Sequence, residues 1–371
     1  MIIQDIINVI EEMSPLHYAE SFDNVGLLVG DSKNKLTGVL VTLDTLENVI
    51  EEAIEKDCNL VVSFHPIIFS GLKKITGKNY VERGVIKAIQ NNISIFSMHT
   101  ALDNEWLGVN HQICKKLNLI NEKILIPKKE TICKLQTYVP KKNASHLKKS
   151  LFEIGAGSLG NYEECSFSTN GLGSFKANDQ ADPYIGEINK IHHEEETSIQ
   201  ITFESHLKNK VIKTLIKNHP YEEVAYEITT LENINQRKGM GRIGELEKEI
   251  SEHEALQLVK DTFKCKNIRH SDFTGKKVKK IAVLGGSGAF AIGAAKANRA
   301  DLYITSDIKY HEYYQAENKL IIADIGHYES EQYTKNLIVD YLKEKISKFA
   351  TAYDLSNIVL SDINTNPIKY F

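Results

Sequence analysis

Apolar and polar residues change their period several times along the first 120 positions. In IIQDIINVIEEMS the apolar residues fall at 2, 3, 6, 7, 9 and 10, the spacing of a single helix face. LTGVLVTLD is instead a short continuous apolar run that ends in an acid, as a buried strand does, and the helical NVIEEAIEKDC follows it. NLVVSFH repeats the strand pattern and VERGVIKAIQNN the helical one. ISIFSMHTALD predicts a third strand that exits into polar residues. The rhythm resumes late in KKIAVLGGSG, ADLYITSD and LIIADIGH, with helical patterns in AFAIGAAKAN and SEQYTKNLIVDYLKEKIS. Alternation of this kind predicts an α/β fold whose main domain has two βα-rich halves around a mixed or largely parallel sheet.

The middle of the chain has a different texture. KLQTYVP, SFSTNG, SIQITFES and EVAYEITTL read as strands, and ASHLKKSLFEIGA and LKNKVIKTLIKNH as amphipathic helices. GAGSLGNY and GLGSF read as glycine-rich turns and HHEEE, with His192 and His193, as a solvated loop. The pattern predicts a compact α+β domain at 129–235, inserted into a main domain built from 1–128 and 236–371. IPKKE and ENINQRKGMGR would be the hinges.

A length of 371 residues exceeds what one hydrophobic core usually serves, which agrees with two domains. With 42% apolar and 25% charged residues the chain has the make-up of a globular protein. Its formal charge of −4 offers no general attraction to nucleic acid. No apolar stretch reaches the length of a membrane span, and the acidic opening segment lacks the basic region of an export signal. The five cysteines are scattered without a Cys-x-x-Cys pair, which argues against a disulfide framework or a thiolate zinc site. A reducing compartment, the cytoplasm, is expected.

Candidate chemistry gathers where predicted strands end: Asp44, His65, His99 with Asp103, Asp307, and His327. In an open α/β sheet, ligands bind in the crevice outside the carboxyl ends of the strands, so these distant groups would converge if their strands are neighbours. In GHYESE, His327 and Glu331 are four apart and would share one face of a helix beginning there. His65 and Asp103 would complete a mixed nitrogen and oxygen set suited to one or two Zn²⁺, Mn²⁺ or Fe²⁺ ions. Such a site lowers the pKa of bound water. Each residue alone has a plainer reading. Asp44 could serve a helix N-terminus, His311 could be an exposed helix residue, and GGSG at 285–288 lacks the full dinucleotide fingerprint.

Several segments resemble one family. AESFDNVGLLVGD (19–31), SFHPIIFSGLKK (63–74), SMHTALDNEWLGVN (97–110), YITSDIKYHE (303–312) and IADIGHYESE (322–331) are similar, in order, to the GTP cyclohydrolase 1 type 2 homologues, or Ngg-interacting-factor-three-like proteins. YVP, FEIGAGSLGNYEECSF and HPYEEVAYEI resemble the insert of its longer members, itself similar to the ferredoxin-like PII and CutA proteins. The resemblance implies a ring-like homohexamer and a two-metal site held by His65, Asp103, His327 and a bridging Glu331. One departure stands out: Phe64 occupies the place of the first of two adjacent histidines. Phenylalanine cannot ligate, so one well-held ion is expected, with a second that is weak, water-rich or rescued by His99.

The family name implies addition of water to the imidazole ring of GTP, which opens it, releases formate and gives dihydroneopterin triphosphate. In that reaction His99 or His311 would move protons. Lys309 and the backbone N–H groups of Gly285, Gly286 and Gly288 would hold the triphosphate. Two other readings stay open: a hydrolase of another nucleotide or phosphoester, and a non-catalytic metal-binding regulator or adaptor whose insert senses a small molecule.

Overall fold

Short, fully buried β-branched strands dictate the start of the chain. In the computed structural model, which describes every residue except 159, 351 and 352, helix α1 (Ile3–Met13) precedes β1 (Gly26–Val29) and β2 (Val39–Thr42). Then follow α2 (Glu47–Glu55), β3 (Leu60–Ser63), α3 (Tyr80–Gln90), β4 (Ser94–Ser97), α4 (His99–Asp103), α5 (Val109–Lys116) and β5 (Ile120–Pro127). Every residue of β2, β3 and β4 is buried, as expected for parallel strands covered on both faces.

The segment 128–235 forms a compact unit of its own. It contains β6 (Ile132–Pro140), α6 (Ala144–Phe152), β7 (Phe167–Lys176), β8 (Ile191–Glu204), α7 (Lys208–Asn218) and β9 (Tyr226–Leu231). Its antiparallel sheet runs β7-β8-β6-β9, so numbering its strands from one the order is 4-1-3-2 with a β-α-β-β-α-β succession. Leu147 and Leu151 of α6 and Val211 and Leu215 of α7 pack in one cluster with Leu135, Val139, Ile199 and Ile201. Two sequence expectations are corrected here. GLGSF is not a turn but part of β7, where Gly173 leaves the space that the Glu196 carboxylate fills. HHEEE is not a loop but the start of β8, paired residue by residue with β7. GAGSLGNY makes turns on either side of Leu159, which lies outside the described residues.

The remaining residues, 1–127 and 236–371, form the other unit. Its second part contributes β10 (Gly239–Ile250), α8 (Glu252–Phe263), β11 (Arg269–His270), β12 (Val278–Ser287), α9 (Ile292–Ala297), β13 (Leu302–Ser306) and β14 (Ile321–Asp324). It ends with α10 (His327–Glu331), α11 (Thr334–Phe349) and β15 (Ile358–Leu360). Here the expectation of one sheet is corrected to two, each mixed. One runs β1-β4-β3-β2-β15, parallel except for β1; the other runs β11-β14-β13-β12-β10-β5, parallel only across β14, β13 and β12. The reason lies at the edges. β1 occupies the open side of β4 and β15 that of β2, so β10 to β14 are left no edge of that sheet to extend. Among the described residues no helix is long and apolar enough to cross a membrane.

Candidate metal centre

Five strands deliver imidazoles or carboxylates just beyond their carboxyl ends, Asp44 following β2. His65 follows β3, and its N–H donates to Leu43 O at 2.9 Å. His99 follows β4, its N–H donating to Phe64 O at 2.9 Å, while Ser97 Oγ donates to the same carbonyl at 2.8 Å. Asp307 follows β13. After β14, Gly326 at φ +92° turns the chain so that α10 can begin at His327. One helical turn later Glu331 points back along the same face.

The outcome is a tight triangle. His65 Nε2 and His327 Nε2 each lie 3.1 Å from Glu331 Oε2 and 3.4 Å from one another. Glu331 is buried, and Oε2 has no hydrogen-bond partner despite its two near neighbours. Donors about 2.0–2.2 Å from a shared ion stand about 3.0–3.5 Å from each other in octahedral or tetrahedral arrangements. The three spacings fall within that range, so the donor set fits a divalent ion. Among the described residues these three form a group able to hold a metal.

Each imidazole is anchored from behind. His65 Nδ1 meets Asp44 Oδ1 at 2.8 Å, and His327 Nδ1 meets Asp307 Oδ2 at 2.6 Å. Asp44 and Asp307 are held in turn by the hydroxyls of Thr365 and Ser287. With a carboxylate at Nδ1, that nitrogen keeps its proton and Nε2 is the atom whose proton an ion would displace to gain a lone pair, the usual outer support of a metal-binding histidine. Asp44 is thus tied to an imidazole. His99 follows the same rule: its Nδ1 meets Asp23 Oδ1 at 2.8 Å, and the other Asp23 oxygen accepts from the N–H of Thr100 at 3.0 Å and from its hydroxyl. Asp23 was not foreseen. It lies in the AESFDNVGLLVGD segment with no spacing that sets it apart from other loop acids.

Asp103 stands beside this triangle rather than in it. Its Oδ1 is sealed from solvent without a hydrogen-bond partner. Burial, reinforced by the nearby Glu331 charge, raises its carboxyl well above the usual range. Burial also opposes charge on the imidazoles, but Glu331 and Asp44 overcome it and push His65 up to about 9. Glu331 and Asp307 push His327 up to about 11. Burial works against the Glu331 charge as well, yet the two imidazoles hold its carboxyl far below the ordinary range. Two buried carboxylates around two imidazoles attract positive charge, and without an ion protons must supply it.

The triangle opens into a cleft of ≈ 430 Å³ whose walls include Pro66, Phe69, His99, Tyr328 and Ile368. Other expected site residues lie differently. His311 is exposed in the short 3₁₀ helix Tyr310–Ala316 after β13, its ring against Tyr310 and Tyr314, and neither it nor the exposed Lys309 lines this cleft. The glycine cradle is corrected. Gly285 N–H donates to Asn110 Oδ1 and Gly286 N–H to Ser330 Oγ, both at 3.0 Å, so neither amide is available to a phosphate. A Cβ on Gly286 would overlap Glu331 Oε1, and one on Gly288 the hydroxyls of Thr305 and Tyr303. These glycines make room for the carboxylate and the strand end. Phe64 is fully buried, with its ring centroid 4.9 Å from that of His65 and 5.5 Å from that of His99.

Residues 1–367 match the family model described as Duf34/NIF3 (NGG1p interacting factor 3). The chain is 37% identical over 370 residues to the GTP cyclohydrolase 1 type 2 homolog of Bacillus subtilis (strain 168), covering 99% of this chain and 98% of that one. It is 33% identical over 371 residues to a protein of the same name from Staphylococcus epidermidis, with both chains covered throughout. Among solved structures, a Bacillus cereus protein related to NIF3 matches with a TM-score of 0.87 at 34% identity, over 100% of this chain and 99% of that one.

Proposed function

The chain belongs to the Duf34/NIF3 family, and on that premise we propose that it is a metal-dependent hydrolase that opens the imidazole ring of GTP. Water is added, formate leaves, and dihydroneopterin triphosphate is the product, as the names of its relatives suggest. The observation that carries this reading is the triangle of His65 Nε2, His327 Nε2 and Glu331 Oε2, with each imidazole held from behind by a carboxylate. These residues would hold the ion, with Asp103 as the adjoining carboxylate. When bound, a Zn²⁺, Mn²⁺ or Fe²⁺ ion would polarise the ring and lower the pKa of water.

The chain's own groups divide the remaining work. His99 lines the cleft, is tethered at Nδ1 by Asp23, and keeps Nε2 available to carry a proton between water and the ring nitrogens. Phe69, half exposed in the cleft wall, offers a ring face against which a purine can stack. Asp44 and Asp307 fix the imidazole tautomers. The test is direct: protein loaded with Mn²⁺ or Zn²⁺ is incubated with GTP and formate is measured, beside a His327→Ala control. Full metal loading without formate rules out GTP as the substrate.

A second reading is favoured by one observation in the insert. Tyr138, Phe175, Tyr184 and Tyr221 line a pocket of ≈ 420 Å³, the size of a small-molecule site. The strand order of that unit supports reading it as PII/CutA-like, and in this view the insert senses a ligand while the metal is structural. Chelation that unfolds the protein while no nucleotide or phosphoester is turned over would favour it. Assembly as a homohexamer and a cytoplasmic location, the latter supported by five free thiols, belong to either reading.

A further inference from the structure

The wall of the metal-flanking cleft is shared. Tyr328, Asn366 and Ile368 line it and also line a second cavity of ≈ 250 Å³, so the two adjoin. The second cavity has a different character. Lys264 and Lys266, just after α8, and Lys369, from the C-terminal segment, all contribute to its wall, with Gln332, Asn364 and Tyr370 between them. All three lysines are exposed, and among the described residues none is in an ion pair. Lys369 Nζ donates to Asn366 O at 3.0 Å, and Lys266 Nζ stands 5.9 Å from the centre of the Tyr370 ring. The single carboxylate in the wall, Glu329, is occupied by Asn366 Nδ2 at 3.1 Å and otherwise lies against Gly326.

Three lysines lining one cavity together with a single carboxylate leave two positive charges in excess. They repel each other, and beyond the Lys369–Asn366 hydrogen bond and the Lys266–Tyr370 ring contact no ion pair among the described residues uses them. A polyanion would gain from all three at once. The glycine turn at 285–288 cannot serve, because two of its amides are already engaged inside the protein.

We propose that this lysine-walled cavity is a polyphosphate subsite, which seats the triphosphate tail of the nucleotide whose base occupies the metal-flanking cleft. The assignment rests on the GTP reading for the identity of the ligand, but the binding chemistry can be measured apart from it. Asn366 and Ile368 of the C-terminal segment line both cavities and so act, with Tyr328, as the divider between base and phosphate sites.

The probe is inorganic tripolyphosphate, titrated calorimetrically into the metal-free full-length protein so that no ion can bridge to it. Binding is expected, weakening as salt rises. Lys264→Ala, Lys266→Ala and Lys369→Ala should each reduce affinity about tenfold, because a hydrogen bond to a charged group is lost, and the triple variant should not bind. Being exposed, the three positions should leave the melting temperature unchanged. Absence of binding in the unmodified protein, equal binding by the triple variant, or loss on Lys309→Ala instead would overturn the subsite. GTP turnover supplies the separation. A triple variant that releases formate with an unaltered KM overturns the subsite and leaves the hydrolase reading standing. Tripolyphosphate binding that collapses in the variants, with no formate ever released from GTP, supports the subsite and removes GTP as the substrate.

Discussion

His65 Nε2 and His327 Nε2 stand 3.4 Å apart although 262 residues separate them along the chain. One comes from the end of β3 and the other from the end of β14, in two different sheets of the same compact unit. Two imidazoles do not approach so closely through apolar surface without a group that both can bind. Glu331 provides one such group and a metal ion would provide the other.

Glu331→Gln tests that relationship. The amide keeps the shape but removes the charge that holds both imidazoles, and one amide face offers a donor where an acceptor is needed. Metal content by elemental analysis should fall from about one ion per chain to near zero. The metal-free variant should also lose about 3 kcal/mol of stability at pH 7 in urea unfolding, because a buried ion pair loses one partner. Retained metal would show that the triangle is not the binding site.

The same charges set a pH dependence. His65 and His327 bind protons more tightly folded than unfolded, at about 9 and about 11 against about 6.5 in the open chain. Their contribution to metal-free stability is therefore fully present below about pH 6.5 and is lost as pH rises through those folded values. Glu331 has the opposite sign: its contribution is present above its unfolded value of about 4.3 and is lost in acid. A metal ion must displace the imidazole protons, so its affinity should climb between pH 6.5 and pH 8.5, with up to two protons released per ion. Calorimetry in buffers of different ionisation enthalpy reads that number directly. A pH-independent affinity without proton release would contradict the protonation assigned to the metal-free site.

Much of this centre was legible from residue order alone. The period changes located β2, β3, β12, β13 and β14, and strand ends in α/β folds are where polar groups survive, so His65 and His327 came forward at once. The four-residue spacing of His327 and Glu331 required only that a helix start at the histidine, which Gly326 makes possible. What escaped depends on contacts the sequence does not encode locally. Asp23 reaches His99 across 76 positions, and no short-range pattern distinguishes it from other loop acids. The glycines at 285–288 looked like a phosphate turn because conformational freedom is visible in sequence. Their actual task, leaving room for Glu331 and donating inward, depends on a helix some 40 residues later. The single expected sheet failed for a similar reason: edge occupancy by β1 and β15 is a long-range fact.

Gly286→Ala should behave as a metal-site variant although it removes no ligand. Gly286 has φ +70°, which an alanine adopts at a cost of about 1 kcal/mol. Its Cβ would also overlap Glu331 Oε1. Relief requires the carboxylate to move, so a total loss of about 2–3 kcal/mol is expected together with weaker metal binding. Gly293→Ala, at a helical position of α9 where a Cβ meets nothing within 4 Å, is the control: it should gain up to about 1 kcal/mol and leave metal binding unchanged. Equal metal affinity in the two variants would separate Gly286 from the centre.

Asp307→Asn isolates the outer support. The amide can still accept from His327 Nδ1, but it has lost the charge that makes the ring a stronger donor to the metal. Affinity should drop 10- to 100-fold while Glu331 and both imidazoles remain. Because Asp307 is nearly half exposed, the melting temperature of the metal-free form should change little. A full loss of fold would instead make Asp307 a structural residue.

Phe64→His asks how many ions the centre can hold. Phe64 is fully buried and its ring lies against both His65 and His99, so an imidazole there would place nitrogen beside two others. Without metal the new ring has no hydrogen-bond partner assured, and the variant should be about 1–3 kcal/mol less stable than the parent. With Zn²⁺ or Mn²⁺ the balance reverses, because a second ion bound to the folded state alone raises stability with its free concentration. The expected result is a stoichiometry rising from one ion toward two, and a larger metal-dependent increase in melting temperature than the parent shows. A stoichiometry that stays at one would mean that Asp103 and His99 do not face a second position, and that the phenylalanine marks a centre built for a single ion.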